Sequence, residues 1–505
     1  MAPLPVGETV LPPSDADEPV SLEGAAQAAL DIFAPAGEVN TADTGATALL
    51  PAPAETAIMV PAARAVSRPA GAVAPLSWVD PRTLGDAPES HPTGPLLARR
   101  TRRGLPGSIL VPLVALIAAL AVYAGTMLLW PLHAVTPTAT ATELTLAASP
   151  AETITWPAQG SAAVGIEGIG TLSSSAEPAE IASITKLVTA LLVLDRLPLT
   201  VGESGPSYAM TWADRNSYQN HLWRGESALD VPVGEELTEY QLLQGLLIGS
   251  ASNYADRLVQ EIWGSETTFV AEAARWLRLR GLESLTIVEP TGIDTDNSAP
   301  PADLIRLAQV AMANPVIAEI VGTAEVEIPG AGLVENTNEL VASDGLVGVK
   351  TGTLWGRYNL LSAVRVPVGE TSVLVSAVVL GQDDTEQRDA ETLALLAQVT
   401  GALQAQGPLV SAGTLVAEVS TLWGETIRIT TASDARVVLW NGAAATPQLT
   451  LSLDGASAAG AAVGTLTLRG PIDEATTEVT LTEDLSGPSP WWRLTHPLQL
   501  LGLAD

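Results

Sequence analysis

The sequence predicts an α+β domain, helices packed around an antiparallel sheet, with a smaller all-β domain after it and one membrane-length helix before it. Three observations carry that reading. An uncharged apolar run of 22 residues, Ile109 to Trp130, follows the basic cluster Arg99-Arg100-Thr101-Arg102-Arg103. Between residues 156 and 405, segments of helical and of strand periodicity are mixed. From residue 406 onward, only short alternating segments separated by Gly, Asp and Pro remain.

The elements follow in order. Residues 1–104 are rich in Ala, Pro, Gly and acidic side chains and lack apolar periodicity. Such a composition buries too little apolar surface to offset chain entropy, so the segment reads as a disordered tail. Residues 105–131 read as a transmembrane helix, because 22 residues at ~1.5 Å rise cross a bilayer core of about 30 Å. Pro112 is tolerated near a helix start. The Arg cluster lies on the N-terminal side, and the next Lys or Arg beyond the run is Lys186. The positive-inside rule therefore places the tail in the cytoplasm and everything after residue 131 outside the cell membrane. A cleaved signal peptide is the alternative, but no small-residue cleavage site follows the run. Residues 132–155 read as a Thr/Ala/Pro linker.

Within residues 156–405 the spacing predicts helices over Ile181–Arg196, over Glu239–Trp263 with an interruption near Gly249, and over Asp383–Gln404. Leu360–Val366 and Ser372–Leu380 predict an antiparallel hairpin with a five-residue turn, Pro367–Thr371. Residues 406–505 predict strands over Thr414–Val419, Thr426–Thr431, Ala435–Trp440, Gln448–Leu453, Val463–Leu468 and Thr477–Leu481, a small β-sandwich or barrel. Trp491-Trp492-Arg493 reads as a packing element.

Composition removes several function classes. A net charge of −32 and a pI near 4.3 argue against nucleic acid as a partner, since phosphate binding needs clustered Lys and Arg. No cysteine is present, which excludes disulfides and thiolate chemistry. The four histidines are scattered without ligand spacing, so neither a metal nor another cofactor is expected. Of the 24 basic residues all are Arg except Lys186 and Lys350. Arg serves any site that needs only positive charge; Lys is required where a nitrogen must lose and regain a proton. These two lysines are therefore the first candidates for chemistry.

Each lies in a motif. Ser183-Ile184-Thr185-Lys186 opens an apolar helix, and residues three apart share a helix face. A lysine partly desolvated there can take the serine proton. The alternative is that Ser183 only caps the helix, although Lys in place of Glu or Gln at the fourth position is wrong for a capping box. Lys350-Thr351-Gly352-Thr353 ends the β-type stretch from Gly345. It offers a cation, a hydroxyl and unobstructed backbone, a seat for a peptide carboxylate.

With both motifs in order, residues 156–405 resemble the serine D-alanyl-D-alanine carboxypeptidases, low-molecular-weight penicillin-binding proteins of β-lactamase/transpeptidase-like fold. The string from Ala182 to Leu191 is similar to that family's nucleophile helix, and Val233 to Leu247 to its approach to a second motif. Glu289-Pro290-Thr291-Gly292-Ile293 looks like a loop of the family in which Asn is more familiar at the first position. The resemblance implies Ser183 as nucleophile, Lys186 as general base and Ser250 as proton relay. It also implies that Lys350 and Thr351 hold the terminal carboxylate, with Gly352 beside them and the N–H groups of Ser183 and Thr353 as oxyanion hole. The family's second motif is Ser-x-Asn; here Ser250-Ala251-Ser252-Asn253 puts Ser252 in the Asn slot. One residue of helix is about 100° of rotation, so Asn253 does not replace it without a bulge. The implied partners are D-Ala-D-Ala stem peptides of peptidoglycan, β-lactams and the cytoplasmic membrane. A weak or inactive relative that binds stem peptides is the alternative, on account of Ser252. A β-lactamase, with Glu289 activating the deacylating water, and a structural wall-binding protein complete the list.

Overall fold

The structure, a computed structural model, describes residues 107–342 and 345–504. The expected disordered tail lies outside the described residues. The first described element is α1 (Gly107–Leu129), an uncharged helix long and apolar enough to cross a membrane, with Pro112 inside it. The chain divides after Trp130, and residues from Pro131 onward form a separate compact unit.

That unit contains two large antiparallel sheets and, among the described residues, three two-stranded ones. The strands of the two large sheets are β1 (Thr138–Ala141), β2 (Ser161–Ile166), β3 (Gly170–Ser173), β4 (Leu346–Leu354), β5 (Arg357–Val368), β6 (Thr371–Gln382), β7 (Leu415–Ser420), β8 (Thr426–Thr431), β9 (Thr446–Leu451), β10 (Ala462–Arg469) and β11 (Glu474–Leu481). The first sheet runs β4-β5-β6-β2-β3 and the second β1-β7-β8-β11-β10-β9. The helices up to residue 404 are α2 (Thr185–Arg196), α3 (Trp212–Trp223), α4 (Glu239–Leu247), α5 (Ser252–Trp263), α6 (Glu266–Leu279), α7 (Pro301–Met312), α8 (Pro315–Val321) and α9 (Thr385–Gln404). The fold is α+β, as the alternation of helical and strand segments predicts.

Strands β5 and β6 are apolar on both faces because both faces are covered. Leu360, Val364 and Val366 pack with Leu393, Leu396 and Val399 of α9. Leu361 and Ala363 join the larger cluster built from α2, α4, α5, α7 and α8. At about 25 cal/mol per Å² of apolar surface removed from water, these two clusters supply the main driving force for the domain. Strand β4 lies at the sheet's edge.

Four expectations need correction. The β5–β6 turn is two residues long, because Val368 pairs with Thr371 and only Gly369-Glu370 remain between them. Gly369 takes φ 62°, which lets the strands continue to the tip. Ala435–Trp440 is no strand beyond a single bridge from Ala435 to Val410; all its side chains but that of Arg436 are buried instead. Thr138–Ala141, expected within a linker, pairs with β7 and forms the edge of the second sheet. Alternating Thr and Ala carry little strand signal alone, and the pairing partner supplies what the segment lacks. Finally, the C-terminal strands form one open sheet among the described residues, since β1 and β9 at its two ends are not paired with each other.

Candidate active site

Ser183 sits in a short 3₁₀ turn, Ala182–Ile184, that leads into α2. Ten consecutive residues of α2, Thr185 to Leu194, are buried, so the helix is enclosed on all sides and cannot shift relative to the sheet. Its N-cap is Ile184, which makes no side-chain cap bond. Ser183 is therefore not spent on capping. Lys186 is fully buried and donates from Nζ to Ser183 Oγ at 2.9 Å and to the Thr291 carbonyl at 2.6 Å. Burial pushes its pKa down to about 8, against the opposing pull of Glu289, Asp256 and Glu226. A free amine is thus accessible near neutral pH, within hydrogen-bonding reach of a serine hydroxyl.

The turn that carries Ser183 is clasped between two backbones. Gly352 of β4 lies so close that a Cβ there would stand 2.8 Å from the Ile181 carbonyl oxygen and 3.3 Å from the Ser183 nitrogen. On another side Gly292, at φ 84°, leaves no room for a Cβ against the Ala182 carbonyl. Ala182 itself takes φ 47°, an uncommon conformation for a residue with a side chain, which this enclosure holds in place.

Lys350, on β4, is also buried. A register shift between Gly348 and Lys350 re-aims the strand just before it. Its Nζ donates to the Thr351 carbonyl at 3.2 Å and to Thr351 Oγ1 at 3.4 Å, and Thr351 Oγ1 shares a 2.6 Å hydrogen bond with Thr337 Oγ1. Burial, with Lys186 and Arg388 nearby, holds the Lys350 ammonium well below its ordinary pKa. A carboxylate placed beside Lys350 would favour its charged form.

The second motif bends between helices. Ser250 takes φ 58° at the junction of α4 and α5, Ala251 is the extended N-cap, and Ser252 and Asn253 begin α5. All three polar residues are buried, yet their side chains go separate ways. Asn253 accepts from the Leu229 N–H and donates to the Leu229 carbonyl, at 3.0 and 2.8 Å, so its amide is committed to the preceding loop. Ser252 Oγ is buried without a partner. Thr337, which touches Thr351, carries no motif signal and was not legible in the sequence; Thr291, which touches Lys186, lies in the loop that the resemblance singles out, but its role there was not legible.

Glu289 does not stand free to activate water. Its carboxylate accepts from the N–H groups of Thr291, Gly292 and Ile293, from Thr291 Oγ1 and from Asn297 Nδ2. No cluster of three metal-ligating side chains occurs among the described residues.

Residues 171–383 match the D-alanyl-D-alanine carboxypeptidase family of peptidases. The chain is 26% identical over 223 residues to a D-alanyl-D-alanine carboxypeptidase of Bacillus subtilis, covering 43% of this chain and 54% of that one. It is 30% identical over 178 residues to a D-alanyl-D-alanine carboxypeptidase of Mycobacterium tuberculosis, covering 34% and 57%. The chain thus spans slightly more than half the length of these two relatives. Among solved structures, a peptidoglycan synthesis regulatory factor (PBP3) from Streptococcus pneumoniae is 21% identical with a TM-score of 0.44, covering 68% of this chain and all of that one.

Proposed function

We propose, from the match of residues 171–383 to the D-alanyl-D-alanine carboxypeptidase family, that the protein removes the terminal D-alanine from peptidoglycan stem peptides through an acyl-enzyme on Ser183. The observation that carries the reading is the buried Lys186 amine 2.9 Å from Ser183 Oγ. Lys186 takes the hydroxyl proton as Ser183 Oγ bonds to the carbonyl carbon between the two D-alanines. The oxyanion is received by the N–H groups of Ser183 and Thr353. The C–N bond then breaks, and the proton passes through Ser250 to the leaving amine. Water attacks the ester, the acyl C–O bond breaks and Ser183 regains its proton. Lys350 and Thr351 hold the terminal carboxylate, while Gly352 gives the peptide backbone access to the edge strand. Ser252 borders the same seat, while Asn253, expected beside it, serves the Leu229 backbone instead.

The same proposal extends to layout. The chain before α1 lies on the cytoplasmic side, α1 anchors the protein in the cell membrane, residues 156–405 act outside it, and residues 406–505 support them. β-Lactams acylate the same serine as mimics of the substrate.

Intact-mass measurement after exposure to benzylpenicillin tests the reading. A one-to-one covalent adduct maps to Ser183 and disappears in Ser183→Ala. A wild-type protein that gains no mass under these conditions overturns it.

A further inference from the structure

The carboxylate of Glu289 is surrounded by donors from its own loop, and two consecutive carbonyls of that loop face α2. Pro290 O accepts from Thr189 Oγ1 at 2.7 Å, and Thr291 O accepts from Lys186 Nζ at 2.6 Å. Thr189 and Lys186 are three residues apart, on one face of the helix. The loop reaches this register because Glu289 gathers its turn: Oε2 accepts from Thr291 N at 2.7 Å and Thr291 Oγ1 at 2.6 Å, and Oε1 from Gly292 N, Ile293 N and Asn297 Nδ2. Asn297 is fully buried and returns its Oδ1 to the Val288 N–H, closing the loop at its base. A carboxylate has about four lone-pair positions and no hydrogen, so only an ionised acid suits so many donors at once.

We propose that Glu289 is a positioning residue for the reaction at Ser183, aiming the lone pair of Lys186 at the serine hydroxyl through the Thr291 carbonyl. This rests on the reading of Lys186 as general base. A neutral amine has two hydrogens and one lone pair. Donating one hydrogen to Thr291 O restricts the rotation of Nζ, so that the lone pair can face Ser183 Oγ. If the loop relaxes, the amine turns freely and spends less time in the reactive orientation.

Charge gives the idea a second readout. Lys186 is faced by Glu289 on this loop, by Asp256 on α5, by Glu226 on the segment after α3 and by Lys350 on β4. Glu289 is the foremost of the three acids that raise the Lys186 pKa against burial. Removing its charge therefore makes the amine available at lower pH, even as its aim worsens.

The test is the benzylpenicillin acylation rate constant of the full-length protein from pH 6 to 10, measured by intact mass. That constant is read from sites that react, and so does not depend on the folded fraction. In Glu289→Gln the high-pH plateau falls about tenfold to a hundredfold and the rising limb moves to lower pH. In Glu289→Asp, which keeps the charge and shortens the arm, the plateau falls and the limb stays with the wild type. A wild-type plateau in either variant overturns the proposal, as does an unshifted or upward-shifted limb in Glu289→Gln. If Glu289→Gln fails to fold, Glu289→Asp alone decides by its plateau. A wild-type protein that never acylates defeats the proposed function itself, a distinct outcome.

Discussion

At the residue scale, Ser252 and Asn253 show how adjacent side chains divide between chemistry and architecture. The Asn253 amide holds Leu229 at both its N–H and its carbonyl, so Asn253→Ala strands two backbone groups. It lowers unfolding free energy by about 1–3 kcal/mol, measured by denaturant titration, while residual folded protein acylates at close to the wild-type rate. Ser252 Oγ is buried with nothing to bond. Ser252→Asn restores an amide to that position and raises the benzylpenicillin acylation rate about tenfold, part of the ~10²–10³ that one preorganised group contributes. A silent Asn253→Ala with intact stability would mean that Asn253 faces the substrate after all. The two lysines were legible in the sequence because nearly every other cation is Arg. The role of Thr291 was not, although its loop was, since it acts on Lys186 through a backbone carbonyl that every residue possesses. Glu289 was noticed for its charge, but only the folded loop reveals that its charge points inward.

Among the elements, α4 begins with an anomaly. Glu239 follows the N-cap Thr238, is fully buried, and has no partner for either carboxyl oxygen. Burial pushes its pKa up to about 7. The folded carboxyl thus holds its proton to higher pH than the unfolded one, near 4.5. Between those values the fold binds more protons than the unfolded chain, so its stability falls as pH rises and the penalty is complete above about pH 7. Glu239→Gln carries no such penalty. It melts at higher temperature than the wild type at pH 8, by about 1–3 kcal/mol of stability, and with little difference at pH 4. Equal melting at pH 8 would show that Glu239 is solvated. The long elements α2, β5 and β6 were legible because each is a sustained apolar run, buried on every side over most of its length. The shorter ones escaped. Thr138–Ala141 becomes a strand only because β7 offers an edge, and Ala435–Trp440 has a strand's composition but spends it on filling a junction.

On the scale of the whole molecule, that junction matters most. Val438 and Trp440, from the C-terminal half, are buried in the same cluster as the outer face of β5 and β6 and helix α9. Asp473 bonds to the Val438 N–H and to Thr371 Oγ1 at the β5–β6 tip. The two sheets are therefore expected to unfold together. Trp440→Ala removes a large side chain from their shared core at a cost of about 3–5 kcal/mol and splits a single calorimetric transition into two; a single lowered transition would show that the coupling lies elsewhere. The scarcity of lysine has a consequence of another kind. With both lysines of the chain buried in one cleft, nitrogen-15 incorporated through lysine would report on that cleft alone. A spectrum of the side-chain amines would hold two resonances, one from the amine beside Ser183 and one from the amine on β4. Following them across pH and through inhibition would show, atom by atom, where the proton resides, with the other 503 residues dark.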